Sequence, residues 1–257
     1  TCPADLTLNC PADTTTINTG VATATDLCDN NPVVSYSDVV VNSNCDGIYN
    51  ITRTWTAVDC NNNSTSCDQL ITVQDITPPT ITCPADLTLD CPADTTTLNT
   101  GVATATDLCD NNPVVSYSDA VVNSNCSDVY TITRTWTAVD CNNNSTSCDQ
   151  IIIVQDITPP TITCPADLTL AAPADTTTLN TGVATATDIC DSNPVVDYSD
   201  VVTQGTCEGV YSILRTWTAT DCIGNESTCV QSILVGDDDI PTISCPADVT
   251  VECDENT

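Results

Sequence analysis

Residues 1–8 read TCPADLTL, the same eight letters begin again at Thr82 and Thr163, and a variant, SCPADVTV, begins at Ser244. The spacing is 81 residues each time. A fixed period constrains architecture before any single residue does. This one is too long for ankyrin or leucine-rich units and suits a small β-sandwich. The reading is therefore three domains, 1–81, 82–162 and 163–243, followed by 244–257 as the first strand of a fourth copy. That last piece reads either as part of a longer array or as a segment that docks on a neighbouring subunit.

Inside one period, Leu6-Thr7-Leu8, Val21 to Thr25, Val33 to Val41, Tyr49 to Val58 and Leu70 to Val73 are rich in Thr, Val and Ile. Turn-forming clusters such as Asp29-Asn30-Asn31-Pro32 and Asn61-Asn62-Asn63-Ser64 separate them. In the fourth run Ile51, Arg53, Trp55 and Ala57 share one face, and Thr52, Thr54 and Thr56 the other. No stretch sustains a helical period. The expected fold is all-β: tandem Ig-like or fibronectin-III-like sandwiches in an extended, beaded rod. We take the strands of each sandwich as a meander with antiparallel neighbours. With so few large apolar residues per repeat the core is thin, and covalent staples matter.

Composition narrows the function. The chain has 19 Cys, 35 acidic residues, 3 Arg, no Lys and no His, for a formal charge of −32. That charge repels nucleic acid and anionic membrane surfaces. No run of eighteen apolar residues occurs, so membrane insertion is not expected. Nineteen thiols suit an oxidising exterior, so the chain reads as secreted to the extracellular space or cell surface. Zinc is disfavoured because the cysteines lack close CxxC spacing. An enzyme is not expected either, since without His or Lys only carboxylates remain as acid or base.

TPPTITCPADLTL, with RTWTAVDCNNNSTSCDQLITVQDITPPTITCP, resembles the hyalin repeat (HYR) family over essentially the whole chain. Its cysteine-rich variants resemble those in large surface proteins of Bacteroidetes-like bacteria. The resemblance implies an Ig-like sandwich, extracellular, without a catalytic site, serving as spacer, stalk or adhesive module. It also implies a staple joining first and last strands, hence Cys2–Cys67, Cys83–Cys148 and Cys164–Cys229. Cys28 and Cys60 end strands at one pole, which suggests Cys28–Cys60, Cys109–Cys141 and Cys190–Cys222. Cys10 with Cys45, and Cys91 with Cys126, would then share the opposite pole. The third repeat has Ala172 in place of that cysteine, which leaves Cys207 alone. A local alternative pairs Cys28–Cys45 and Cys60–Cys67, and six cysteines allow fifteen connectivities.

Asp5, Asp13, Asp26, Asp29, Asp38, Asp59 and Asp75 have counterparts at the same places in every copy. Asp75 with Asp107, Asp110 and Asp140, and Asp156 with Asp188, Asp191 and Asp221, are candidate Ca²⁺ clusters at the two repeat junctions. Ca²⁺ takes six to eight oxygens, and carboxylates and Asn carbonyls supply them. The alternative is that these Asp residues shape turns and stay solvated. Before the fourth copy, Asp237-Asp238-Asp239 replaces Asp75-Ile76-Thr77. Arg53, Arg134 and Arg215 share a face with a Trp and are expected to pair with the Asp38-type carboxylate. N-glycosylation sequons begin at Asn50, Asn63, Asn125, Asn144 and Asn225. Asp13-Thr14-Thr15 and its copies resemble a Bacteroidetes O-glycosylation signal at Thr14, Thr95 and Thr176. Together these features favour a structural rod, stalk or filament subunit that associates with copies of itself. The other reading is an adhesin or a glycan- or protein-binding spacer, though few exposed aromatics are available for it.

Overall fold

A computed structural model of the chain describes residues 1–250; residues 251–257 of the partial fourth copy, with Cys253, lie outside the described residues. The first repeat holds β1 (Leu6–Asn9), α1 (Thr16–Thr19), β2 (Val33–Asn42), β3 (Tyr49–Val58) and β4 (Ser64–Gln74). The second holds β5 (Thr80–Thr82), β6 (Leu87–Asp90), α2 (Thr97–Thr100), β7 (Thr104–Thr106), β8 (Val114–Asn123), β9 (Tyr130–Val139) and β10 (Ser145–Gln155). The third repeats that order as β11 (Thr161–Thr163), β12 (Leu168–Ala171), α3 (Thr178–Thr181), β13 (Thr185–Thr187), β14 (Val195–Gln204), β15 (Tyr211–Thr220) and β16 (Glu226–Gly236).

Each repeat builds one four-stranded sheet, ordered β1-β4-β3-β2 in the first copy. β3 pairs antiparallel with both long neighbours, whereas β1 runs parallel to β4, Leu6 beside Ile71. The antiparallel meander is thus corrected at its first strand. Parallel neighbours need a long crossover, and residues 10–32 supply it by carrying the chain over the sheet face. In the second and third repeats that crossover includes β7 or β13, paired antiparallel with β5 or β11 as a second, two-stranded layer. The first repeat keeps only one residue of this layer. Thr1 N donates to the Thr23 carbonyl at 2.6 Å and Thr23 N to the Thr1 carbonyl at 3.1 Å. The strand expected over Val21–Thr25 is consequently absent there.

A single helical turn sits in each crossover, too short to announce itself by periodicity. Asp13 Oδ1 accepts from Thr15 N at 2.9 Å, and Asn18 Nδ2 returns to the Asp13 carbonyl at 3.0 Å. Gly20 ends the turn at φ 92°, where a Cβ would stand 3.2 Å from Pro3 Cβ.

Between the layers lie Ile51, Trp55, Ile71 and Val73, all at most 4 % exposed. Two polar side chains share this interior. Gln69 is 0 % exposed and satisfies its amide on the Ala4 and Thr19 carbonyls at 2.9 and 2.8 Å. Arg53 is 2 % exposed and grips Asp38 through Nε and Nη2 at 2.8 and 2.9 Å. It also donates to Thr19 Oγ1 and the Thr14 carbonyl, with its guanidinium 4.5 Å above the Tyr36 ring. Arg134 and Arg215 repeat this with Asp119 and Asp200, so the expected ion pairs are present. The bidentate bond to Asp38 holds the Arg53 pKa above its ordinary value, against the opposing effect of burial.

By its internal contacts the chain falls into two compact units. Thr1–Ser124 with Asp128–Gln155 forms one and contains two copies of the sheet; Asn125–Ser127 with Asp156–Thr257 forms the other. Among the described residues no helix is long and apolar enough to cross a membrane.

Candidate functional site

The bridges Cys2–Cys67, Cys83–Cys148 and Cys164–Cys229 are formed, each spanning 65 residues, with Cα–Cα distances of 6.1, 6.0 and 5.9 Å. In each, a residue just before the parallel strand (β1, β6 or β12) is tied into the last strand (β4, β10 or β16), because the parallel pairing lays these strands side by side.

The remaining cysteines do not pair within their own repeat. Cys10 bonds Cys109 and Cys45 bonds Cys141, 99 and 96 residues on, both inside the first compact unit. Cys126 bonds Cys222 within the second. Cys91 and Cys190 are also disulfide-bonded. The expected Cys10–Cys45, Cys28–Cys60, Cys109–Cys141, Cys91–Cys126 and Cys190–Cys222 pairings are thereby corrected, as is the local alternative. The physical reason is position. Cys109 and Cys141 stand at the pole of the second repeat that abuts the first, so each meets a cysteine across the junction before it meets its polar neighbour. Cys28 and Cys60 occupy the same places in the first repeat and are free and exposed. Cys207 and Cys245 are free and exposed as well. Cys207 is single because its kind bonds to a following repeat, not because Ala172 lacks a sulfur.

Around these bridges the chain makes a small mixed core. Cys10, Val73 and Cys109 are buried together, with Ala12 and Tyr49 packed on them. Asn142 Nδ2 donates to the Asp75 carbonyl at 3.0 Å and Asn144 Nδ2 to the same oxygen at 3.3 Å. Asn111 Nδ2 reaches back to Asp46 Oδ2 at 2.9 Å. Adjacent repeats in the first unit are therefore held by two bridges and a hydrogen-bonded linker.

Of each expected four-carboxylate cluster, only two members meet. Oxygens of Asp75 and Asp107, with Cys109 Sγ, lie within 4.8 Å of one another, as do those of Asp156, Asp188 and Cys190. Both sulfurs belong to disulfides and are poor ligands. Asp110 is used up, with Oδ1 on Asn112 N and Oδ2 on Cys141 N. Asp140 accepts from Asn142 N and Asn144 N on one oxygen and from Asn144 Nδ2 on the other. Asp191 and Asp221 are spent in the same way. They shape turns, as Asp does where its side chain bonds backbone two residues on.

What remains is unusual. Asp75 is 5 % exposed; its Oδ1 holds Thr77 N and Oγ1, yet its Oδ2 is buried with no hydrogen-bond partner. Asp156 Oδ2 is in the same state. A buried carboxylate oxygen with nothing to bond is costly. A cation bridging Asp75 Oδ2 and Asp107 fits that vacancy of bonding, and the all-oxygen donors suit Ca²⁺ or Mg²⁺.

Two of the sequons serve this junction. The side-chain nitrogens of Asn144 and Asn225, which an N-glycan would occupy, donate instead to Asp140 and Asp221 at 2.8 and 2.7 Å. Asn50 and Asn125 are exposed, Asn63 is exposed but bonded to Asp59, and Thr14, Thr95 and Thr176 are half-buried.

Hydrogen-bond donors also hold several carboxylates below the usual range: the backbone N–H groups of Thr15, Thr96 and Thr177 act on Asp13, Asp94 and Asp175, and the side-chain amide of Asn63, with its backbone N–H, acts on Asp59. A depressed folded pKa gives stability that is complete above the unfolded value, near 3.9 for Asp, and is lost as pH falls through the folded one. The melting temperature is accordingly expected to hold steady down to about pH 5 and to drop below about pH 4. Circular-dichroism melts across that range check this, and a midpoint as high under strong acid as at neutrality contradicts it.

No family model matches the chain, and no curated protein matches it. Solved structures similar to it include a protocadherin gammaB7 EC3-6 cis-dimer, at 17 % identity and TM-score 0.31, covering 79 % of this chain and 66 % of that one. Another is PcdhgB3 EC1-4, at 14 % identity and TM-score 0.32, covering 80 % and 66 %. Mouse clustered PcdhgC3 EC1-3 follows at 13 % identity and TM-score 0.30, covering 76 % and 79 %. Superpositions this loose carry no inference about the present chain.

Proposed function

We propose that this chain is an extracellular structural protein, a stalk or filament subunit of tandem Ig-like domains at 1–81, 82–162 and 163–243. The observation that carries the reading is the pair of bridges Cys10–Cys109 and Cys45–Cys141. A cleft enzyme or a hinged receptor needs movable neighbours; two covalent ties at one junction forbid movement and hold a length. The hyalin-repeat resemblance agrees with this use, and so do the all-β copies repeated at one period.

Small-angle X-ray scattering on the monomer tests the reading. A stiff particle is expected, with a maximum dimension that broadens only after the junction bridges are reduced. A compact or freely hinged particle in the oxidised state overturns it. If the chain is instead an adhesive spacer, oxidised protein will be just as stiff but will retain glycans or a partner protein in a binding screen.

Cation binding belongs to the same proposal. At neutral pH, calcium at about a hundred times its dissociation constant stabilises the folded chain by about 2.7 kcal/mol per site. Calorimetry with and without chelator is expected to show that shift. It should vanish in D75N/D156N, whose neutral amides also relieve the buried charge. An identical melt for the native chain in calcium and in chelator counts against a cation.

A further inference from the structure

We propose that two copies of this chain associate side by side, the edge strand β2 of one pairing antiparallel with the same edge of the other, and that β8 and β14 offer the same contact. This rests on the structural-subunit reading and deepens it by naming the surface through which subunits bundle.

Each four-stranded sheet has two edges, and every repeat treats them differently. One edge is the parallel strand, only four residues long in β1, β6 and β12. Shortness is one of the ways proteins blunt an edge. The other edge is ten residues long: Val33–Asn42, Val114–Asn123 and Val195–Gln204. Among the described residues none of these three has a strand on its far side. Alternate residues of an antiparallel strand turn their N–H and C=O to either neighbour, so about five residues on each edge offer unpaired backbone.

The usual protections are missing from the long edge. Strand β2 keeps register with β3 from Val33 beside Val58 to Asn42 beside Tyr49 without a bulge, and β8 and β14 do the same with β9 and β15. The strand contains no Pro and no Lys. A charge on the inner face is a further device against pairing, and Asp38 is placed to act as one. Arg53 cancels it through the two-pronged ion pair at 2.8 and 2.9 Å. Arg134 and Arg215 cancel Asp119 and Asp200 in the same way. Apolar side chains are meanwhile left in water: Val33, Val39, Val40 and Val41 are 69, 62, 52 and 62 % exposed.

Charge and register both favour a second copy as the occupant. At a formal charge of −32, two chains repel one another over most of their surface. Strand β2 holds a single acid, already paired, so two copies can approach there with little repulsion. Its letters, VVSYSDVVVN, also match themselves when reversed about Ser37. In that register Val33 faces Val41 of the second copy, Val34 faces Val40, and the two Ser37 face each other. Valine meets valine on both faces of the joined sheet, and each Asp38 lies opposite a Tyr36. Moving the two-fold axis to Asp38 would set like charges directly opposite, which is destabilising. Reversal about Ser118 repeats the match in the second repeat, Val114 with Val122 and Val115 with Val121. In the third, Asp197 stands in place of Ser35 and Thr203 in place of Val41, so its contact is the weakest.

One such edge is about 34 Å long and about 10 Å deep, which buries about 300 Å² per copy. A stable interface buries about 800 Å² per partner. Pairing at one repeat is therefore weak, and the association gains strength only when several edges of one chain are engaged.

The test is sedimentation of the full chain, its free thiols capped with iodoacetamide, over rising protein concentration at about 0.05 M and about 0.5 M NaCl. Reversible association is expected, and at lower protein concentration in high salt, because screening removes the repulsion between copies and leaves the strand pairing. Hydrogen exchange should slow over 33–42 and 114–123 as the chain associates and stay unchanged over 6–9. The variant S37K/S118K/S199K sets like charges opposite at the two-fold axis and should raise the midpoint concentration about tenfold or more, although it brings the net charge closer to zero. S37E/S118E/S199E should do the same alone. An equimolar mixture of the two should return the midpoint to within about threefold of the native chain, a rescue that misfolded variants would not give. A chain that stays monomeric in both salts, or Lys and Glu variants that associate like the native chain, overturns the proposal. So does slowed exchange over 33–42 that appears only when an unrelated extended peptide is added, which would give the edge to a foreign strand. Scattering on the dilute monomer reads its stiffness separately, so the stalk reading stands or falls apart from this one.

Discussion

Replacing Cys83 and Cys148 together by Ala is expected to destabilise the second repeat by about 4 kcal/mol, the chain-entropy value for a loop of this length. The bridge closes 65 residues. It stands beside Trp136, since Cys148 on β10 is the register partner of Trp136 on β9. A loss of this size lowers the midpoint of a domain near 80 residues by about 20 °C. Denaturant titration of the double variant, with the other bridges intact, measures it. A change under about 1 kcal/mol would mean that the junction bridges already restrain the unfolded chain enough to make this staple redundant.

The second large effect is expected at Arg134. Its guanidinium is 2 % exposed and makes four hydrogen bonds: two to Asp119, one to Thr100 Oγ1 and one to the Thr95 carbonyl. Arg134→Met keeps much of the volume but strands the Asp119 carboxylate and a buried hydroxyl. Breaking a buried pair from one side costs about 3–5 kcal/mol. Asp119 keeps 29 % of its side chain in water, so the lower end is expected, about 3 kcal/mol. The double variant R134M/D119L removes the orphaned charge and should recover about half of that loss. Chemical denaturation of both variants decides it. Equal stability of Arg134→Met and the native chain would show that the arginine only fills space.

Much of this was legible in one repeat. The alternation Ile51, Arg53, Trp55 placed the arginine on the inner face, and a buried arginine needs a carboxylate that recurs with it, which Asp38 does. The two-stranded layer was less legible. Thr104–Thr106 and Thr23–Thr25 have the same letters, TAT, yet of the two only the former is a strand among the described residues, because Thr80–Thr82 pairs with it residue for residue. The acidic cluster was overcounted for a related reason. Spacing brings Asp107, Asp110 and Asp140 to one pole, but it does not say that turns consume two of the three carboxylates.

The sequence by itself determined the period, the all-β character, the Arg–Asp pair and the need for sulfur cross-links, because all of these follow from local alternation, composition and copying. Only the tertiary structure decided which of the remaining sulfurs meet, beyond the three first-to-last-strand staples that the family resemblance implied. Strand propensity is a property of neighbouring residues. A disulfide needs two Cα atoms brought within about 6 Å, and that is set by how one repeat seats on the next, across 96 to 99 residues of intervening chain.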